Sequence, residues 1–125
     1  YGTFHSAVAA GDLCYLDTSA VWQNAAANAA ATSGSMMAIA LDADGGSDEG
    51  LVLLHGFAKI PSGVINGTPA IGKEMYASND TAGEIDVGVP SDSDDVVRVV
   101  GYCVDIDSSD VLLYFNPDST WITIA

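Results

Sequence analysis

The segment GDLCY at residues 11–15 recurs in altered form as GKEMY at residues 72–76, 61 positions later. Two further segments recur in the same order, TSAVW at 18–22 as TAGEI at 81–85 and DAD at 42–44 as DID at 105–107. Self-similarity of this kind is typical of a duplicated structural unit. The chain is therefore predicted to contain two pseudo-repeats, at about residues 11–60 and 72–124.

Short runs rich in β-branched and aromatic residues alternate with turn signals, which is the pattern of a β-sandwich or barrel. Strands are expected at residues 13–16, 21–23, 36–41, 51–60, 74–77, 84–87, 96–105, 111–115 and 120–124. The alanine-rich segment 25–31 is too short for a stable helix, so a loop or a single turn is expected there. We predict an all-β fold, an antiparallel β-sandwich or a small barrel. It forms a single domain over residues 1–125, with residues 1–10 as an extended N-terminal arm.

Two nearly continuous apolar runs, at residues 51–57 and 96–104, indicate central strands rather than exposed edges. Gly56 and Gly101 interrupt them. A lone glycine in a strand often marks a bulge or a close backbone approach. Each is therefore predicted to let its strand bend.

The chain is strongly acidic, with 17 acidic residues against three basic ones and a formal charge of −14. Such a surface repels phosphate backbones and anionic membranes. No apolar run is long enough to cross a membrane. We therefore expect neither nucleic-acid nor membrane binding. The acidity indicates either solvated turns or a match to a basic partner, and the sequence leaves both open. The chain begins without methionine, so processing and origin in a longer polypeptide also both stay open.

No motif for catalysis or for a cofactor stands out, so no catalytic, cofactor-binding or metal residue is predicted and no enzymatic activity is expected. Residues 42–53 start like a calcium loop but have Gly46, Ser47 and Leu53 at positions five, six and twelve, where an EF-hand needs other residues. Looser cation sites remain alternatives to solvated turns; they would use Asp42, Asp44 and Asp48, or Asp105, Asp107 and Asp110. The lone histidines, His5 and His55, are interpreted as structural.

The two cysteines, Cys14 and Cys103, lie in apolar contexts without CxxC spacing. Buried free thiols are expected, with a bridge between the halves as the alternative. Tyr15 and Tyr76 occupy equivalent repeat positions and are expected to fill equivalent halves of one core. An exposed tryptophan that stacks on carbohydrate is a further alternative.

The end of the chain carries two adjacent motifs, VVRVVGYCVD at residues 96–105 and LYFNPDSTWI at 113–122. Together they resemble the carboxy-terminal signature of virion proteins of tailed bacteriophages. LLHGF at 53–57 and GDLCY at 11–15 are similar to that family's "LLRGF" and "GDLVY" strands. Histidine stands at position 55 where relatives commonly have arginine, so a charge at that position is not implied. The resemblance implies an all-β module on a virion surface, in threefold or other symmetric clusters, that clamps capsid subunits or forms part of a fibre.

The expected function is decoration and stabilisation of a bacteriophage capsid, as a cement protein bound to the major capsid protein or another virion protein. A homo-oligomer is expected, with a trimer favoured. The diverged loops 24–35 and 88–95 are the predicted contact regions, through Asn24, Asn28, Thr32, Ser35, Ser91, Asp92, Asp94 and Asp95. The alternatives are the terminal domain of a tail or head fibre involved in host attachment, and an extracellular enzyme or lectin of the same architecture.

Overall fold

A computed structural model describes residues 1–42 and 49–125. Within them the strands are β1 (Gly2–Phe4), β2 (Leu13–Leu16), β3 (Val21–Asn24), β4 (Met37–Ala40), β5 (Glu49–Gly50), β6 (Val52–Leu53), β7 (Gly56–Ile60), β8 (Ile65–Asn66), β9 (Glu74–Ala77), β10 (Ile85–Asp86), β11 (Val96–Val97), β12 (Val99–Asp107), β13 (Asp110–Phe115) and β14 (Ile122–Thr123). Two single 3-10 turns occur at Ala30–Thr32 and Ser62–Val64. The alanine-rich segment thus forms a loop with one turn, as expected.

The strands build two six-stranded sheets that pack face to face. The first sheet has the order β5-β1-β3-β2-β4-β6, and the second has the order β7-β13-β12-β9-β10-β8. A separate two-stranded ladder joins β11 to β14. The predicted all-β sandwich is confirmed, and over the described residues the sheets stay open rather than closing into a barrel. Both sheets are mixed, because β1 pairs with β3 and β8 with β10 in parallel.

The two sheets share one topology. Strands β1, β3, β2, β4 and β6 of the first sheet correspond in order and direction to β8, β10, β9, β12 and β13 of the second. Backbone bonds repeat as well: the Gly11 N–H donates to the Ala40 carbonyl at 2.8 Å, and the Gly72 N–H donates to the Cys103 carbonyl at 2.7 Å. Gly11 and Gly72 both have positive φ, 92° and 83°, where a glycine avoids strain. The two sheets therefore have the matching topology that a duplicated unit would produce.

The repeat boundaries differ from the predicted ones at both ends of the first unit. β1 lies inside the first sheet, and Phe4 and Val8 are buried. Residues 1–10 are thus part of the domain rather than a separate arm. At the other end, β7 pairs with β13 of the second sheet, so residues 56–60 leave the first unit.

A side-chain oxygen holds the hairpin turn after β2, and the equivalent turn of the second unit also uses a side-chain oxygen. The Asp17 carboxylate accepts the Ser19 and Val21 N–H groups and the Gln23 side-chain amide, at 2.8, 3.0 and 2.7 Å. These donors, with Gln23 foremost, lower the pKa of Asp17. The hydroxyl of Ser78, at the equivalent position, accepts the Asp80 N–H at 3.1 Å. Both turns therefore use the side-chain acceptor that Asx and serine turns require.

The two units use opposite faces to build the shared core. Leu13 and Ile39 of the first sheet point into the core between the sheets, whereas Cys14 and Ala40 lie in a second cluster on that sheet's other face. In the second sheet the equivalents of Cys14 and Ala40, which are Met75 and Cys103, point into the shared core. The equivalents of Leu13 and Ile39, which are Glu74 and Tyr102, are exposed. The repeats therefore stack head to tail, with unlike faces in contact, rather than about a twofold axis.

This stacking corrects the expectation for the paired tyrosines. Tyr15 packs against the shared core, whereas Tyr76 lies on the outer face of the second sheet. The cysteines are likewise separated: Cys103 belongs to the shared core, and Cys14 lies in the second cluster with Phe4 and Trp22. Both thiols are free and buried.

The long apolar runs do not form single strands. The expected strand 51–60 divides at Gly56, whose φ is 129°, into β6 at the edge of the first sheet and β7 at the edge of the second. The expectation of a central strand over 51–57 was wrong, because the chain crosses between sheets there. The expected strand 96–105 divides at Arg98 into β11 and β12, and only β12 is central. Gly101 forms a bulge against β9, as predicted, and a Cβ there would collide with the Tyr114 carbonyl oxygen.

Candidate binding surface

The outer face of the second sheet carries a row of aromatic side chains across adjacent strands. Phe57 on β7 is directly opposite Tyr114 on β13, and Tyr114 is directly opposite Tyr102 on β12. Phe57 is 63% exposed and Tyr102 is 42% exposed. The next strand places Glu74 opposite Tyr102, and Tyr76 lies on the same face. We call Phe57, Tyr76, Tyr102 and Tyr114 the aromatic face.

Two rings of the aromatic face, Phe57 and Tyr114, contact each other, and His55 contacts Tyr114. The rings of Phe57 and Tyr114 are 5.2 Å apart between centroids and tilted by 44°. His55 meets Tyr114 edge-on, with centroids 5.5 Å apart, and its Nε2 lies 2.9 Å from the Tyr114 hydroxyl. Burial, followed by the charges of Glu74 and Tyr102, raises the pKa of Tyr76. His55, Phe57 and Tyr114 therefore form one ordered cluster on this face.

The equivalent positions in the first sheet carry apolar side chains. Leu53, Ile39 and Leu13 stand at the positions that correspond to Tyr114, Tyr102 and Glu74. In the first sheet these side chains pack against the second sheet. In the second sheet Tyr102 and Glu74 are exposed, and Tyr114 is half-buried beneath His55 and Phe57. The second sheet therefore keeps large side chains at these positions but adds hydroxyl groups and a carboxylate, which a core would have to pair by hydrogen bonds.

A charged group borders the aromatic face at one end of the sheet. Lys59 lies 3.3 Å from the Asp107 carboxylate and 3.9 Å from that of Asp110. With Asp105 and Leu112 these residues line a shallow cavity of about 180 Å³. The ammonium group therefore already occupies the space between two of the acids considered for a cation site.

The metal alternatives find no support among the described residues, where no group of three or more His, Cys, Asp or Glu side chains is arranged to hold an ion. Asp42 accepts the Leu51 N–H at 2.8 Å. Asp44 and Asp48 lie outside the described residues. His5 accepts the N–H of Ala7 through Nδ1 at 3.3 Å, which is a local turn contact.

The two loops predicted as contact regions lie against each other. The Val96 N–H, just after the second loop, donates to the Ala27 carbonyl in the first at 2.6 Å, and Ala27 donates to the Ser78 carbonyl at 2.8 Å. Ala25 and Ala27 are fully buried in the shared core. The alanine-rich loop therefore connects the two units, because only side chains this small let its backbone approach the neighbouring strands.

Half of the predicted contact residues are engaged inside the chain. Thr32 donates to the Ala26 carbonyl and Ser35 to the Leu16 carbonyl, at 2.7 and 3.1 Å. Asp95 is 3% exposed and accepts the side-chain amide of Asn79 at 2.7 Å. The remaining predicted residues divide by exposure: Asn24 is half-buried and donates to the Ala7 carbonyl, whereas Asn28, Ser91, Asp92 and Asp94 are exposed. These four are the members of the predicted set that a partner can reach.

Arg98 holds the first loop to the end of the chain. Its Nη1 donates to the carbonyls of Ser33 and Ser35 at 2.8 and 2.6 Å, and its Nε donates to the Asp118 carbonyl at 2.7 Å. The guanidinium carbon lies 5.0 Å from the centre of the Trp121 ring. Burial lowers the pKa of Arg98, an effect that the Asp118 charge opposes. This arginine therefore has a structural role, and the Trp121 ring packs against its guanidinium group.

The aromatic face was missed at the level of sequence because β12 and β13 are apolar on both faces. Residues 99–104 read VVGYCV and residues 111–115 read VLLYF, so neither alternates between apolar and polar side chains. A strand with apolar residues on one face and polar residues on the other would have shown which side chains face water. The available signal was the substitution between repeats, since Leu13 is replaced by Glu74 at the matched position.

No known protein family, no curated protein and no solved structure shows a significant match to the chain. Within the described residues no helix is long and apolar enough to cross a membrane.

Proposed function

We propose that this protein is a structural virion protein that decorates and stabilises a bacteriophage capsid by binding on or between capsid subunits. Two features support the proposal: the likeness of residues 96–105 and 113–122 to virion proteins of tailed phages, and the open aromatic face. The observation that carries most weight is the aromatic face, because an ordered cluster of large rings on an exposed sheet is the usual mark of a protein contact surface.

The proposed mechanism is binding through many equal contacts. A stable interface covers about 800 Å² on each partner. Copies clustered on threefold positions, as trimers, would add avidity without one very tight contact. The exposed loop residues Asn28, Ser91, Asp92 and Asp94 are proposed to contact neighbouring copies or subunits. The proposal assigns neither a reaction nor a cofactor to the chain.

The proposal is tested by adding purified protein to heads assembled without it. The expected result is saturable binding with a fixed number of copies per capsid, an ordered array in images of the particle, and heads that withstand higher temperature. The control is an unrelated acidic protein of similar size and charge, which should not bind. Absence of saturable binding, or binding at a tail or vertex only, would refute capsid decoration.

The alternative proposal is the terminal domain of a tail or head fibre that attaches to the host. Tyr102 and Tyr76 beside Glu74 favour it, because an exposed ring next to a carboxylate also suits stacking and hydrogen bonding to a sugar. This alternative predicts that the purified protein binds host cells or isolated host glycans, and that it does not occupy heads. Imaging of the intact particle separates the two, since it shows whether the protein lies on the head or in a fibre.

A further inference from the structure

In the part of the chain that the structure describes, the outer face of the second sheet has no sheet packed on it, whereas the equivalent face of the first sheet packs against the second sheet. In the first unit the equivalent of Tyr102, Ile39, is buried between the sheets, and the equivalent of Tyr114, Leu53, is partly buried against the same core. Head-to-tail stacking leaves one such face without a following layer, and in this chain that face carries aromatic rings. A sheet face of this kind is suited to receive another protein surface.

The charge of the chain restricts what that surface can be. The protein has a formal charge of −14, and Glu74 stands directly opposite Tyr102 in the aromatic row. Among the described residues Lys59 alone makes ion pairs, and its partners are Asp107 and Asp110. A second copy would bring together two chains that each carry a formal charge of −14 and would set Glu74 near its own counterpart, which like-charge repulsion opposes.

A cationic side chain meets two favourable contacts on this surface. Arginine and lysine are attracted to the faces of tyrosine and phenylalanine rings, and arginine also donates paired hydrogen bonds to a carboxylate. Phe57 and Tyr102 offer exposed rings, and Glu74 offers the carboxylate at the end of the row. We therefore propose that the aromatic face binds a protein surface that presents arginine or lysine side chains, which stack on the exposed rings and pair with Glu74.

This inference deepens the proposed function, since the basic surface would belong to the capsid, but it is tested without capsids. The probe is a twelve-residue β-hairpin that displays four arginines on one face, and its twin carries citrulline at the same four positions. Citrulline keeps the shape and planar group of arginine but has no charge. Binding of each hairpin is followed by NMR, through the ring signals of Phe57, Tyr76, Tyr102 and Tyr114 and the backbone amides of β7, β9, β12 and β13.

The arginine hairpin is expected to shift these signals first, and the citrulline twin to bind about tenfold more weakly. Phe57→Ser and Tyr102→Ser should each weaken binding about threefold to fivefold. Glu74→Gln should reduce both the affinity and its dependence on salt. The matched control is Ile71→Ser, because Ile71 is 63% exposed, as Phe57 is, but lies outside the sheets. Thermal unfolding of each variant shows whether it is folded.

Several outcomes would overturn the inference. Equal binding of the two hairpins would exclude a role for cationic charge, and shifts confined to other strands would exclude this face. Shifts of the same rings by a host oligosaccharide, without any by the arginine hairpin, would identify a carbohydrate surface instead. Self-association that Tyr102→Ser abolishes would identify a second copy as the occupant. Heads that fail to bind wild-type protein would refute the proposed function alone, since the hairpin titration would still decide the chemistry of the face.

Discussion

Replacement of Arg98 by methionine is predicted to destabilise the protein strongly. The change removes three hydrogen bonds, of 2.6–2.8 Å, to the carbonyls of Ser33, Ser35 and Asp118, and leaves those acceptors without their donor. Each bond to a charged donor contributes about 1.5–3 kcal/mol, but desolvation of the guanidinium offsets part of the sum. The expected net loss is about 3–5 kcal/mol, as for other broken buried charge contacts. For a domain of this size that lowers Tm by about 10–20 °C.

The measurement is thermal unfolding followed by circular dichroism, together with urea unfolding at a fixed temperature. Arg98→Lys keeps the charge but replaces the planar fork by a single ammonium group, so it should recover less than half of the loss. Lys59→Met is the matched control, since it removes one positive charge from an exposed ion pair, which contributes at most about 1 kcal/mol. A Tm of Arg98→Met within about 3 °C of wild type would refute the reasoning. Equal effects of the Arg98 and Lys59 changes would show that net charge, not hydrogen-bond geometry, is responsible.

Three further predictions concern the backbone, a thiol and an acid. Gly101→Ala should cost at least about 2 kcal/mol in urea unfolding, because its Cβ would meet the Tyr114 carbonyl, whereas Gly63→Ala, with open space around it, should change stability by less than about 1 kcal/mol. Burial, followed by the charge of Asp12, raises the pKa of Cys14 to about 12. Mass spectrometry should therefore find this thiol unmodified by iodoacetamide at pH 8 until the protein unfolds. Rapid labelling of the folded protein would contradict its burial. Asp17 has a lowered folded pKa, so its contribution is present above the ordinary value of 3.8 and is lost as pH falls through the folded pKa. Asp17→Asn should therefore destabilise the protein at neutral pH by an amount that shrinks in acid, and a constant difference across this range would argue against the cause given.

The all-β class was predictable because strand and turn signals are local properties of the chain. The strands at 13–16 and 74–77 begin and end at the expected residues, since glycine turns and tyrosines mark them in both repeats. Strands of two residues such as β5 and β8 were missed. They are too short to show periodicity and exist because a neighbouring strand pairs with them.

The direction in which each sheet faces was not predictable, because β2 is apolar on both sides. Leu13 and Tyr15 face one cluster, and Cys14 and Leu16 face the other. Alternation identifies a buried side only when the other side is polar. The same ambiguity hid the division of residues 51–60, where only a positive φ at Gly56 shows that the chain turns toward another sheet.

The opposite use of the two faces has a consequence for where binding occurs. Equivalent surfaces in a twofold sandwich would both be inside or both outside, whereas head-to-tail stacking leaves one surface of each kind at the ends. In the first unit the end surface is closed by the chain itself, since Phe4 and Val8 bury Cys14, Ala38 and Ala40. In the second unit no described segment closes it, and large rings remain in solvent. Contacts such as that between His55 and Tyr114 hold exposed rings in place. Exposure of their apolar area to water is unfavourable, so a partner that covers the rings lowers the free energy. The attachment proposed for this protein should therefore be sought at the aromatic face more than at the diverged loops, because the way the repeats stack leaves that face open.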